Sequence, residues 1–239
     1  AASSVDMRIT DPRPYLARID RERYARLLFR DKAPRVPEVQ VHEPQIEVAG
    51  GPSEAPAMET PAAASGLLLA AAQRFGDHVD TDAIIPGEFC HLTDSAALGA
   101  HCFHHVRPEF VSRAREGRTL VVAGEGWGTG SSREQAVWAL QGAGIQAVIA
   151  KSFAFIHRRN LVNDAVPHLV LADPDFHALV QEGDALEVDL GTSTVTHVPS
   201  GRRFAAAPTS PLVHALQSQG GLVPAIRRLG HHVFEALPV

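Results

Sequence analysis

Residues 118–152 read RTLVVAGEGWGTGSSREQAVWALQGAGIQAVIAKS, and the order of signals within them sets the fold class. The first seven, RTLVVAG, are a short β-branched run stopped by glycine, the pattern of a buried strand. Residues 132–142, SREQAVWALQG, have helical spacing and close at Gly142 or Gly144. Residues 145–152, IQAVIAKS, give a second apolar strand, and 168–172, HLVLA, a third. Strand, helix and strand at this spacing predict parallel strands joined by a right-handed crossover, hence an α/β domain. Farther on, residues 185–190 (ALEVDL) and 194–198 (TVTHV) flank Gly191 and Thr192 and predict a hairpin. Residues 220–230, GGLVPAIRRLG, predict a C-terminal helix behind a glycine pair. No internal repeat is visible.

The compact domain predicted here covers residues 66–239. Upstream, residues 11–30 place Tyr15, Leu16, Ile19, Tyr24, Leu27 and Leu28 at helical spacing among many charges, so residues 1–30 are expected to be a tail with short amphipathic helix. Residues 31–65 shift to Pro, Ala, Glu and Val. Pro34, Pro37, Pro44, Pro52, Pro56 and Pro61 break any long helix and predict a semi-extended linker.

Composition narrows the function classes. The chain has 239 residues, 45% of them apolar and 21% charged, as in ordinary globular domains. No run reaches the roughly 18 apolar residues that cross a bilayer, and the first residues lack the basic start and apolar core of a signal peptide. The chain begins at Ala1 without an initiator Met, which suggests processing or excision from something longer. A formal net charge of −5 argues against nucleic acid as the main partner. Its two cysteines, Cys90 and Cys102, suggest a reducing compartment, expected to be the cytoplasm. Two thiolates are also too few for an iron–sulfur cluster.

The chemistry concentrates in Gly124-Glu-Gly-Trp-Gly-Thr-Gly-Ser-Ser-Arg133. Alternating glycines between a strand and a helix let the backbone turn sharply and approach a ligand. Ser131 lies three residues before Glu134 and Ser132 three before Gln135, both capping-box spacings, so the serines are expected to cap the helix. A helix N-terminus offers free N–H groups and partial positive charge, and Arg133 adds a fork suited to carboxylate or phosphate. The ligand expected is an anion. The glycines fit no register of the dinucleotide fingerprint; there is no lysine for a P-loop and no Gly-x-Ser-x-Gly elbow.

GSSREQAVWAL, residues 130–140, resembles the signature of the aconitase superfamily's swivelling domain, and within it most closely the small subunit of 3-isopropylmalate dehydratase. Residues 76–86 (GDHVDTDAIIP) resemble that family's first strand and turn. Residues 98–110 (LGAHCFHHVRPEF), 152–167 (SFAFIHRRNLVNDAVP) and 220–228 resemble later blocks in the same order. Residues 1–16 resemble the end of the family's catalytic half, so the chain is expected to be either the C-terminal part of a fused polypeptide or an extended small subunit. The resemblance implies a swivelling β/β/α fold and a hydro-lyase that isomerises a hydroxy di- or tricarboxylate. It further implies 3-isopropylmalate, in leucine biosynthesis, as substrate, with citrate, homocitrate or another substituted malate as alternatives. Ser131 would be the catalytic base, with Asp82 completing the site. Arg133 would clamp a substrate carboxylate, and Ser132, Thr81, Gly130 and His91 would be further contacts. The chain would bind no metal or cofactor itself; a [4Fe-4S] cluster would sit in a cluster-bearing large subunit or catalytic domain.

Some residues depart from the family pattern. Thr129 stands where the family has cysteine, and Gln135, expected still to cap the helix, where it has histidine. Asp164 replaces a glycine and is expected to carry left-handed backbone strain. In the specificity stretch Gly87–Leu92, His91 fits neither an isopropyl group nor a carboxylate-binding arginine, which suggests a polar or anionic substituent or merely a solvent-facing residue. Such departures keep open a non-catalytic, anion-binding relative. His101, Cys102, His104 and His105 are set aside as a mixed helix surface rather than a metal site. Asp77 and Asp80 are read as turn and cap residues, and His231 and His232 as surface. Trp127 is expected to wall the ligand site and Trp138 to join the core.

Overall fold

The computed structural model describes Asp20, Glu22, Arg23 and residues 66–238. The chain divides into two units, Ala1–Pro56 and Ala57–Val239. The tail and linker expected over 1–30 and 31–65 lie outside the described residues, save that Asp20 accepts hydrogen bonds from the amides of Glu22 and Arg23.

Residues 66–238 build a seven-stranded mixed sheet. In chain order its strands are β1 (Leu67–Arg74), β2 (Leu120–Ala123), β3 (Ala147–Ala150), β4 (His168–Val170), β5 (Ala185–Asp189), β6 (Thr194–His197) and β7 (Arg202–Ala205). Their spatial order is β4-β3-β2-β1-β5-β6-β7. From β1 to β4 the strands are parallel, and from β1 through β5 and β6 to β7 they are antiparallel. The expected parallel strands and hairpin are thus both present.

β1 joins the two halves. Its start, Leu67–Ala71, pairs with β5, and its end, Ala72–Arg74, pairs with β2. The sequence did not suggest this strand, because LLLAAAQR has no β-branched residue and favours helix locally. Pairing on both edges overrides that preference. The strand expected within residues 76–86 is instead a connection ending in a short helix, α1 (Thr81–Ile84).

Helices α2 (Ser95–Gly99), α3 (Phe110–Arg115), α4 (Gln135–Gly142), α5 (Phe155–Asn163) and α6 (Pro174–Leu179) connect or cover the parallel half. The parallel strands are buried on both faces, which is why they read as continuous apolar runs. Val121, Ala123, Val148 and Ala150 face one core with Leu98, Phe103, Phe110 and Leu140. Leu120, Val122, Ala147 and Ile149 face the other with Phe176, Val188 and Phe204. A third cluster, with Leu216, Ala225 and Val233, joins α7 (Pro211–Ser218), α8 (Leu222–Leu229) and α9 (Val233–Ala236). The C-terminal helix expected from residues 220–230 is α8; α7 and β7 went unread.

Glycines set one packing distance. A Cβ at Gly142 would collide with the Ser95 carbonyl, and one at Gly99 with the backbone of Gly142 and Ala143. Helices α2 and α4 therefore meet backbone to backbone. The left-handed conformation expected at Asp164 falls instead on Ala165, at φ 55, while Asp164 has φ −99. Trp127 does not wall a ligand site: it is fully buried, its ring 5.6 Å from that of Phe75. Trp138 is only partly buried, against the same core.

Candidate active site

The connections that leave the C-terminal ends of β1, β2 and β3 are laced together, with the glycine loop in the middle. On the β1 side, the His78 amide donates to Glu125 O at 2.6 Å, the Gly128 amide to Val79 O at 2.8 Å, and the Thr81 amide to Thr129 O at 2.9 Å. The Asp77 carboxylate accepts from the Glu125 amide at 2.7 Å, which holds its pKa below the ordinary carboxylate value. Asp80 caps α1 through the Ala83 amide at 2.6 Å. Both are turn and cap residues, as expected.

On the β3 side, the Trp127 amide donates to Ser152 O at 3.0 Å, and the Ala154 amide returns to Trp127 O at 2.8 Å. The Ser152 hydroxyl accepts from the Gly126 amide at 2.9 Å. Gly128, at φ 78, lies so close to the ring of His157 that a Cβ would run into it. In an open α/β sheet this strand edge is where ligands bind.

Ser131 and Ser132 are exposed at the end of this loop. Neither serine caps the helix, contrary to expectation, and neither does Gln135. α4 starts one turn later, with Glu134 at its N-cap position in helical angles (φ −65, ψ −31) and no side-chain cap bond. Val137 and Trp138 donate instead to the Glu134 carbonyl. The Thr81 hydroxyl explains the shift: it donates to Ser131 O at 2.9 Å and holds the serine outside the helix. Thr81 itself is fully buried and acts as a tether for Ser131. Gly130, at φ 91, sits against the Thr81 hydroxyl.

Arg133 reaches back to α1 and donates through Nη1 to the Asp82 carboxylate. That bond, followed by smaller effects of the nearby Cys90, raises the guanidinium pKa above its ordinary value. Gly87 flanks the same guanidinium, and a Cβ there would lie 3.5 Å from both terminal nitrogens. Thr81, Asp82, Gly130, Ser131 and Arg133 therefore come together from segments about 50 residues apart. Gly87 and Cys90 lie in the stretch read as the specificity segment, but only His91 was singled out there; their place beside Arg133 was missed, because only the fold brings them to it.

His91 is not drawn into that group. It is exposed, and its Nδ1 lies 2.7 Å from Glu88 O in its own turn. Close by, His105 Nε2 pairs with the Glu88 carboxylate at 2.8 Å, and His101 stacks on Phe89 with centroids 3.9 Å apart. Cys102 is buried, which pushes its thiol pKa well up. Among the described residues, no group of three His, Cys, Asp or Glu side chains is placed to hold a metal ion, and no helix is long and apolar enough to cross a membrane.

Comparison with known proteins now adds to this geometry. The family profile described as aconitase C-terminal domain matches residues 69–174. The small subunit of 3-isopropylmalate dehydratase from Pyrobaculum neutrophilum is 43% identical over 65% of this chain and 94% of its own length. That from Methanosarcina acetivorans is 41% identical over 66% of this chain and 95% of its own. Aconitase htyD of Aspergillus rugulosus is 36% identical over 99% of this chain, which spans only 30% of that protein's length. The fold is similar to the crystal structure of 3-isopropylmalate dehydratase from Methanocaldococcus jannaschii. The TM-score is 0.63 at 36% identity, covering 68% of this chain and 94% of that one.

Proposed function

Because this chain belongs to the aconitase C-terminal domain family, we propose that it supplies the serine base and the carboxylate-binding arginine of a hydro-lyase. The substrate is a hydroxy di- or tricarboxylate, isomerised by loss and re-addition of water. The observation that carries this reading is the exposed Ser131, its carbonyl tethered by Thr81, in a loop that also presents Arg133.

Arg133 engages a substrate carboxylate. Asp82 is bonded through Nη1 and Cys90 lies beside the same guanidinium, so a planar anion takes the donors these two leave. Ser131, as the alkoxide that the loop amides and Arg133 stabilise, takes the proton from the carbon next to that carboxylate and becomes the hydroxyl, and the charge left on the substrate meets Arg133. Ser132 and Gly130 line the same loop.

The departing hydroxyl needs a Lewis acid, which an iron–sulfur cluster held by a cluster-bearing partner subunit or domain would supply. The two cysteines here do not fit that group: Cys102 is buried and Cys90 lies beside Arg133, and a cluster takes about four thiolates.

Matches that fill the small subunits almost end to end support 3-isopropylmalate as substrate. A second reading rests on the fungal aconitases, which align with this chain throughout, its first 65 residues included. On that reading both halves lie on one polypeptide and the substrate is an aconitase-type acid. Assaying the complete enzyme on isopropylmalate, citrate and homocitrate separates the two. His91 is the proposed contact with the variable substituent; unchanged substrate preference in His91→Val removes it from that role.

The base assignment has its own test. Ser131→Ala should cut turnover about 10²–10⁴-fold, the usual share of a positioned base, with KM little changed. Full activity in the assembled variant sinks the assignment.

A further inference from the structure

His157 lies in the first turn of α5 and is almost fully buried, at 2% exposure. Its ring is the surface on which Gly128 rests, so it supports the loop that carries Ser131 three residues later. Yet neither ring nitrogen has a hydrogen-bond partner among the described residues. Shape alone does not call for histidine here. A phenyl ring fills nearly the same space and buries no unmet polar group, whereas each unmet nitrogen carries a desolvation penalty. A buried donor and acceptor directly beneath the loop that carries Ser131 are groups that loop's backbone can use.

We propose that His157 is a positioning residue for the Ser131 loop, its ring bonding the Gly128–Thr129 peptide when a bound dicarboxylate draws the loop into its working position. The Trp127 amide and carbonyl, the Gly128 amide and the Thr129 carbonyl are already bonded to Ser152, Ala154, Val79 and Thr81, which leaves the Gly128–Thr129 peptide, beside the ring, as the one for His157 to bond. Burial, followed by repulsion from His168 when both rings are protonated, lowers the imidazole pKa to about 4, so at neutral pH it offers one N–H donor and one acceptor. The loop then exchanges an unmet buried pair for a made one as the anion arrives, and Ser131 is fixed where the proton is taken. His157 touches no reacting atom. Its effect is on where Ser131 stands.

The inference rests on the serine-base reading, and its test separates the two. In the complete enzyme, His157→Phe keeps the ring and removes both nitrogens. The expected result is a thermal midpoint equal to or above wild type, at least a tenfold loss of kcat, and KM within about twofold, because only transition-state alignment is lost. A wild-type kcat in a folded His157→Phe enzyme overturns the proposal, and so does a kcat loss that merely tracks a lowered midpoint. Should the variant not fold, the wild-type enzyme decides: its ¹⁵N-histidine spectrum is recorded with and without L-malate at a concentration that inhibits turnover. Movement of the His157 ring resonances to hydrogen-bonded positions supports the proposal, and unchanged resonances overturn it. Ser131→Ala runs alongside. If it stays active the base reading fails; if it dies while His157→Phe works normally, only His157 is wrongly placed.

Discussion

Asp82 holds Arg133 with one carboxylate oxygen while 58% of its own side chain stays in water. A pair that wet adds little to folding, since exposed ion pairs contribute about 0–1 kcal/mol. On the proposed reading its use is to fix one rotamer of a long, flexible cation for the substrate carboxylate. Asp82→Asn keeps the shape and removes the charge. The variant should unfold in urea within about 1 kcal/mol of wild type, while KM for the hydroxy acid rises about tenfold, the equivalent of 1.4 kcal/mol. Equal KM values would show the pair to be idle. Both partners were legible in the sequence, because Ser-Ser-Arg and Asp-Thr-Asp are local motifs. Cys90 and the Gly87 contact were not, because they depend on how α1 folds back over the glycine loop.

Between elements, the α2–α4 contact reverses an ordinary rule. Alanine is favoured over glycine inside a helix by about 1 kcal/mol, so Gly142→Ala in the last turn of α4 looks stabilising by propensity. A methyl there has no room, since the Ser95 carbonyl fills its place. The substitution should therefore destabilise by about 1–3 kcal/mol, the usual cost of overpacking, and should also shift α4 relative to the loop it anchors. A rise in midpoint would mean the helices separate freely. The same contact shows what a linear reading misses. The helix was expected to close at Gly142 or Gly144 and its last residue is Gly142, yet the partner Ser95 is invisible without the fold. β1 failed for a related reason: its Leu–Ala composition suits a helix, and only pairing with β2 and β5 makes it a strand. At the head of α4 the capping-box spacing was real but unused, because the Thr81 hydroxyl claims the Ser131 carbonyl from another part of the chain.

Across the molecule, the parallel half of the sheet rests on imidazoles kept neutral by burial. Burial brings both His157 and His168 down to about 4, and His168 also has Arg158 Nε 3.4 Å from its ring. Between pH 6.5 and 4 the unfolded chain takes up protons at these rings and the folded chain does not, so stability falls with pH across that window. Asp164 works the other way. Burial raises it to about 6, against a lowering hydrogen bond from Trp138, so between pH 6 and 3.8 the folded chain holds a proton that the unfolded chain releases. Its contribution grows as pH drops, but the group is partly exposed and the gain is reduced by solvent. The histidines prevail: from pH 7 to pH 5 the net loss should be about 2–3 kcal/mol, taking each shifted unit at 1.36 kcal/mol. Urea unfolding followed by the fluorescence of buried Trp127 measures it. In the His157→Phe, His168→Phe double variant the slope should flatten or reverse, leaving Asp164 to dominate. An unchanged slope would mean that these rings already take up protons in the folded state, and that the parallel half is more open to water than its packing implies.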